Sequence, residues 1–197
     1  MKDLLIIFYR NPELGKVKTR LAKTIGDEKA LAIYLKLANH TRVITQDLQV
    51  DKAVYYSHFI DTEDAWPTQH YKKKLQSGQD LGEKMLHAFE EGFQNGYQHI
   101  CIIGTDCFEL DSMIIKESFD LLKIKDAVLG PAKDGGYYLL GMNQLLKEAF
   151  QNKEWSTDSV ASSTLQDFKN KKLSCALLLE LTDIDEEKDL PKAWMTL

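Results

Sequence analysis

Four cations, Arg10, Lys16, Lys18 and Arg20, fall within the eleven residues Arg10-Asn-Pro-Glu-Leu-Gly-Lys-Val-Lys-Thr-Arg20. Lysine offers a phosphate oxygen a point charge and arginine offers it a two-pronged fork. Gly15, between them, permits a close backbone approach. The run is not a Walker loop, because Gly15-Lys16 is followed by Val17 where that loop requires Ser or Thr. A dinucleotide fingerprint is excluded too, since the run holds one glycine. The competing explanation is an ordinary basic surface loop. Residues 10–24 carry a local charge of +4, which leaves −9 on the rest of a chain whose formal net charge is −5. A small basic island on an acidic body suits a compact anion such as a nucleotide diphosphate and excludes a long polyanion such as nucleic acid.

Three acidic positions complement that loop. Asp106 ends Gly104-Thr105-Asp106, just past the apolar run Ile100–Ile103. Mg²⁺ and Mn²⁺ prefer oxygen ligands and are commonly held by one or two carboxylates plus substrate phosphates; alternatively Asp106 caps the following helix or fixes a turn. Asp134 precedes Gly135-Gly136, where the bland reading is a tight turn. The upstream Gly130-Pro131 makes this a longer, shaped loop with an acid in it. Asp183 and Asp185 are either solvated or a second carboxylate contribution to a metal, and taken alone solvation is the better reading. The five histidines show no metal-ligand spacing. Cys101, Cys107 and Cys175 form no CxxC pair, so neither a disulfide framework nor a structural zinc site is indicated. Cys101 and Cys175 lie in apolar runs, and Cys107, beside Asp106, is the one thiol open to a chemical role.

The elements that must position these groups follow from periodicity. Leu4–Tyr9 is a continuous apolar run, the pattern of a buried parallel strand. Further strands are expected at Ala53–Ser57, Ile100–Ile103, Ala127–Leu129, Tyr137–Leu140 and Leu173–Leu179. Between them the spacing predicts a long helix capped by Asp27, with Leu31, Tyr34, Leu35, Ala38 and Leu48 along one stripe. A second helix is capped by Asp80 (Leu81, Met85, Ala88, Phe89, Phe93), and a third starts at Asp111 (Met113, Ile114, Phe119, Leu122). Shorter helices fall near 143–151 and 158–170. Residues 58–79 are polar and irregular, and their Lys72-Lys73-Lys74 run reads as a solvated face. Strands alternating with helices predict an α/β domain whose mostly parallel sheet is covered on both faces. In such sheets ligands bind beyond the carboxyl ends of the strands. The basic loop, Asp106 and Asp134 all follow strands, so they are expected on one sheet edge as one composite site.

No repeat, linker or low-complexity tract divides the chain, so residues 1–197 are expected to form a single domain. No apolar stretch approaches the ~20 residues needed to cross a bilayer, and Leu4–Phe8 is too short for a signal-peptide core. A cytoplasmic location without membrane contact is the expectation.

The runs FYRNPELGKVKTRLA, QSGQDLGEKM, IGTDC, VLGPAKDGGYYLLG, EWST and LTDIDEEKDL, in this order, resemble a bacterial family of small GT-A-type nucleotide-diphospho-sugar transferases. The family was long catalogued as a domain of unknown function, and some members are labelled arsenosugar-biosynthesis glycosyltransferases. The wider superfamily includes nucleotidyltransferases of the molybdopterin-guanylyltransferase and phospholactate-guanylyltransferase kind, with a similar basic loop and final DID segment. The resemblance spans nearly the whole chain and implies a GT-A-like three-layer sandwich. It implies that Arg10, Gly15, Lys16, Lys18 and Arg20 hold the nucleotide diphosphate, with Asp80 also in the substrate site. Asp106 would match the last aspartate of a DxD-type Mg²⁺ or Mn²⁺ motif whose first position here is Gly104, and Asp185 would complete the metal shell. Asp134, Gly135 and Gly136 would line the sugar or acceptor pocket, closed by Trp155, Ser156 and Thr157. Phe108 and Lys84 stand where the family commonly has proline and arginine.

Three functions remain open at this level. The first is metal-dependent glycosyl transfer from a nucleotide sugar to a small-molecule acceptor, with Lys18 stabilising the leaving group and Asp134 as general base. The second is nucleotidyl transfer from an NTP to a phosphorylated small molecule. The third is a non-catalytic nucleotide-binding module. Sugar, base, acceptor and oligomeric state are not encoded in any motif present.

Overall fold

A computed structural model describes residues 2–194. Its seven strands are β1 (Asp3–Tyr9), β2 (Asp51–Tyr56), β3 (Lys72–Leu75), β4 (His99–Ile103), β5 (Ala127–Pro131), β6 (Tyr137–Met142) and β7 (Cys175–Leu177). They form one sheet in the order β3-β2-β1-β4-β6-β5-β7. All pairings are parallel except those of β6, which runs antiparallel to both β4 and β5. Five helices accompany them: α1 (Thr19–Ile25), α2 (Asp27–Thr45), α3 (Leu81–Gln94), α4 (Ser112–Leu122) and α5 (Val160–Asn170). The expected three-layer α/β sandwich is therefore present. Among the described residues no helix is long and apolar enough to cross a membrane.

The central strands are buried on both sides, so alternate residues feed two cores. On β1, Leu5, Ile7 and Tyr9 face α2 and α4, meeting Tyr34, Ala38, Ile115, Phe119 and Leu122. Leu4 and Ile6 face the other way, toward Met85, Ala88 and Phe89 of α3 and Phe168 of α5. A third cluster joins Leu21 of α1 and Ile33 and Leu37 of α2 to Ile184, Leu190 and Trp194, which fasten the C-terminal segment over the two helices.

The structure corrects several sequence expectations. The basic loop runs directly into α1, a short helix that the broken polarity of 19–25 concealed. Gly26, at φ +86°, is the residue before α2, so Asp27 is an acid of the first turn and not the cap. The inward stripe of α2 is Ala30, Ile33, Tyr34, Leu37, Ala38, Thr41 and Thr45; Leu35 is 46% exposed and Leu48 lies beyond the helix. Asp80 and Asp111 do cap their helices: Asp80 Oδ1 accepts from the Glu83 amide at 2.9 Å, and Asp111 Oδ1 from Met113 and Ile114 at 2.8 and 2.9 Å. The helix expected near 143–151 is a single 3-10 turn, Lys147–Phe150.

The largest departure is Lys72-Lys73-Lys74, which forms the edge strand β3. Each lysine finds an acid from another segment. Lys73 is buried against Asp64 at 2.6 Å, and Lys74 bonds Glu91 at 2.5 Å. Lys72 lies 3.5 Å from Asp51.

Candidate active site

Beyond the carboxyl ends of β1, β4 and β5 lies a cleft of about 990 Å³. Its floor is the sheet edge and its walls are loops, the usual place for ligands in such folds. Every site residue expected from the sequence lines it except Gly15 and Gly135, which stand behind the walls and shape them.

The basic loop is held by residues that read as unremarkable in sequence. Asn11, 1% exposed, donates its amide nitrogen to the Phe59 carbonyl at 3.0 Å. Its Oδ1 accepts from the His58 amide at 3.0 Å and from Ser57 Oγ at 3.2 Å. These bonds tie the exit of β1 to the exit of β2. The Arg10 amide donates to Tyr34 Oη at 3.0 Å, and that hydroxyl donates to the Arg10 carbonyl at 2.6 Å. The turn closes through Lys16 N–H to the Glu13 carbonyl at 3.0 Å, with Gly15 at φ +74°, a left-handed value that favours glycine. Buried Val17 anchors its far side. Lys16 points outward and pairs with Glu13 at 2.6 Å.

Lys18 behaves differently. Its backbone is left-handed (φ 47°, ψ 44°), uncommon for a residue with a Cβ, and its carbonyl accepts the first bond of α1 from Ala22. The side chain is 4% exposed, with Nζ 2.7 Å from Asp106 Oδ1 and 3.1 Å from Asp185 Oδ1. Burial alone would lower the pKa of this amine, but the charges of Asp106 and Asp185 outweigh it and the net shift is upward. Lys18 is therefore a fixed cation at neutral pH. Arg20, exposed, approaches Asp185 to 3.9 Å.

The carboxylates meet because the chain end returns to β4. The Ile184 amide donates to the Asp106 carbonyl at 2.9 Å, and Asp183 bridges Cys107 in antiparallel fashion. Ile184 is buried, so the acids on either side of it are drawn into the site. Asp183, read from sequence as solvated, has its carboxyl pushed up to about 7, first by burial and then by the neighbouring charge of Asp106. Burial, then the charge of Asp183, pushes the Cys107 thiol up to about 12, which favours the neutral thiol over the thiolate a nucleophile needs.

The opposite wall is shaped more than charged. Asp134 Oδ1 accepts from the Gly136 amide at 2.9 Å, forming an Asx turn that leaves its other oxygen toward solvent. Gly135, at φ +87°, lies against the strap 152–158: a Cβ there would sit 2.1 Å from the Asp158 carbonyl oxygen. Trp155 of the strap packs on Gly82 of α3, where a Cβ would come within 2.7 Å of the indole. The strap is tied to α5 by the Lys153–Asp167 ion pair. Asp80 lines the cleft from the start of α3, and its bond to Glu83 makes it a cap as well. Ser156 is left-handed at φ 66°, and Thr157 Oγ1 donates to the Glu154 carbonyl at 2.7 Å.

Asp106 and Asp185 offer the hard oxygen donors that Mg²⁺ or Mn²⁺ prefers. Asp106 Oδ1 faces Lys18 Nζ at 2.7 Å, while the Asp106 and Asp185 side chains stay 43% and 39% exposed, which leaves each carboxylate lone pairs open to the cleft. The pair thus fits part of a metal shell. Among the described residues no group of three or more His, Cys, Asp or Glu is arranged to hold a metal ion, so further ligands would come from a substrate.

A six-to-one parallel sheet with a basic loop after its central strand and carboxylates after the neighbouring one defines a GT-A-like, nucleotide-diphospho-sugar transferase fold. Within that class, the chain belongs to the family described as "Uncharacterized protein conserved in bacteria (DUF2064)", whose profile matches residues 40–157. It is 30% identical to a provisionally assigned nucleotide-diphospho-sugar transferase from Desulfovibrio desulfuricans G20, covering 94% of this chain and 84% of that one with a TM-score of 0.88. The fold is shared with 4-diphosphocytidyl-2C-methyl-D-erythritol synthase of Anaerococcus prevotii DSM 20548, at 9% identity and a TM-score of 0.62 over 100% and 99% of the two chains. It is shared also with a Mycobacterium tuberculosis H37Rv protein crystallised with manganese, at 9% identity and a TM-score of 0.57 over the full length of both. No curated protein sequence matches the chain.

Proposed function

We propose that this protein, acting through a single domain, transfers a glycosyl group from a nucleotide-diphosphate sugar to the hydroxyl of a small acceptor. The observation that carries this reading is the division of the cleft. One wall carries Arg10, Lys16 and Arg20 around a buried Lys18 that balances Asp106 and Asp185, and the other presents an acid, an indole and hydroxyls through Asp134, Trp155 and Thr157. A diphosphate suits the first wall and a sugar the second, since polyhydroxy rings pack on aromatic faces and bond to carboxylates. The 30% identical Desulfovibrio protein is described as a nucleotide-diphospho-sugar transferase, the broader class within which this reading falls.

Arg10, Lys16 and Arg20 would gather the diphosphate, with Lys18 lending fixed charge to the leaving group. Asp134 would take the proton of the acceptor hydroxyl as its oxygen bonds to the anomeric carbon. The bond from that carbon to the phosphate oxygen breaks, and the electron pair leaves with the nucleoside diphosphate. Asp106 and Asp185 would hold Mg²⁺ or Mn²⁺, which when bound neutralises charge on the diphosphate.

Nucleotidyl transfer from an NTP is the second reading, favoured by Lys18 between two carboxylates at the mouth of the basic loop, an arrangement equally suited to an α-phosphate. Incubation with a panel of nucleotide sugars and NTPs, with Mn²⁺ or EDTA, separates the two. Glycosyl transfer is expected to release a nucleoside diphosphate. Release of pyrophosphate would replace it with the second reading, and tight binding with no turnover of either class would leave a non-catalytic module.

A further inference from the structure

Lys18 does more in the free protein than await a phosphate. Its ammonium is shut away from water, and within 3.1 Å it touches one oxygen each of Asp106 and Asp185, the two residues best suited to a divalent metal. Two neighbouring carboxylates repel one another, and Asp183 adds a third acid beside them; without a cation between them the cluster would be strained. Lys18 supplies that cation from within the chain.

We propose that Lys18 is a resident counter-cation that occupies the metal ligands of the free protein and yields them only when nucleotide phosphates offer it another anion. The inference rests on the metal-assisted transfer reading and adds an order of events to it. A divalent ion approaching the free site must share Asp106 Oδ1 with an ammonium 2.7 Å away, and two cations at one oxygen repel strongly where water is scarce. A bound diphosphate reverses the balance. Arg10, Lys16 and Arg20 place its oxygens next to Lys18, which exchanges a carboxylate for a phosphate while metal takes the carboxylate. The backbone of Lys18 is pinned as the first acceptor of α1, so the exchange needs only side-chain rotation. Metal and nucleotide should therefore bind cooperatively, each weak without the other.

A structural clamp would predict the opposite. If Lys18 merely held Asp106 and Asp185 in place for metal, its removal would weaken metal binding.

The test is titration of the folded protein with Mn²⁺ alone, followed by the electron paramagnetic resonance signal of free Mn²⁺, and again with UDP, GDP, CDP or ADP. Lys18→Met is expected to bind Mn²⁺ alone about tenfold more tightly than the parent or better, since two like charges sharing one carboxylate near a protein surface repel by at least that factor. Lys18→Arg, which keeps the cation, should stay near the parent. A nucleoside diphosphate should raise Mn²⁺ affinity in the parent and do so much less in Lys18→Met. Should Lys18→Met prove unfolded in EDTA, Lys18→Gln carries the same expectation. Equal or weaker Mn²⁺ binding by the neutral variant overturns the proposal. So does an absence of Mn²⁺ binding by every form with and without nucleotide; product release in EDTA would then show whether the transfer reading stands without it.

Discussion

The two walls of the cleft are built on different physical principles. Around Lys18 the contacts are ionic, between groups distant in sequence, and the geometry is set by balancing charge in a place with little water. Around the strap the contacts are steric: Gly135 and Gly82 exist as glycine because Asp158 and Trp155 occupy the space a Cβ would need. The charged wall is therefore expected to tolerate changes of shape and not of charge, and the strap wall the reverse. Asp134 is the exception on the strap wall, an acid mounted on the glycine turn.

Asp134→Asn should have the largest effect. The asparagine carbonyl can still accept from the Gly136 amide, so the turn survives while the proton acceptor is lost. Turnover is expected to fall by roughly 10²–10⁴ with donor affinity nearly unchanged. Steady-state kinetics beside donor titration decide it; parental turnover in a stable variant would leave Asp134 as architecture.

Gly135→Ala should break the strap wall alone. The methyl group would meet the Asp158 carbonyl in a backbone region unfavourable to alanine, at a cost of about 2–4 kcal/mol in unfolding free energy. Acceptor KM should rise while nucleoside diphosphate affinity holds. Urea unfolding and the two binding measurements test this, and equal losses on both substrates would erase the distinction between the walls.

The smallest effect concerns Asp183. Its carboxyl, raised from an ordinary value near 3.8 to about 7, is favoured in its neutral form by the fold. That stability is fully present below the unfolded value and is lost as pH rises toward 7. Asp183→Asn cannot ionise, so it should match the parent near pH 4 and exceed it by a margin that widens as pH rises to 8. A gap between the two unfolding curves that does not grow with pH would show that the acid is well solvated.

Much of this arrangement was readable from residue order. Apolar runs marked β1, β2, β4, β5 and β6, and the residues just past the parallel strands β1, β4 and β5 had to collect on one sheet edge. What escaped depended on partners remote in sequence. Three consecutive lysines read as a solvated face because Asp64, Asp51 and Glu91, which neutralise them in β3, lie in other segments. Asp183 read as solvated because only the bridge to Cys107 shows which way the segment turns its side chains. Asn11 gave no chemical signal, since its function is to bond the backbone of 57–59. A tight turn at Asp134-Gly135-Gly136 was one of the readings the sequence offered, whereas the strap that fills the space beside Gly135 was not visible there.

The Lys18–Asp185 contact joins residues 167 positions apart, and this bears on how the protein comes into being. Synthesis delivers the basic loop early and the carboxylate at 185 near the end of these residues. Pairing across such a separation carries a large chain-closure cost and belongs to the late stages of folding. A nascent chain that has already laid β1 beside β2 still lacks a partner for Lys18. The cleft thus acquires its charge balance only once the segment carrying Ile184, Leu190 and Trp194 has docked on α1 and α2.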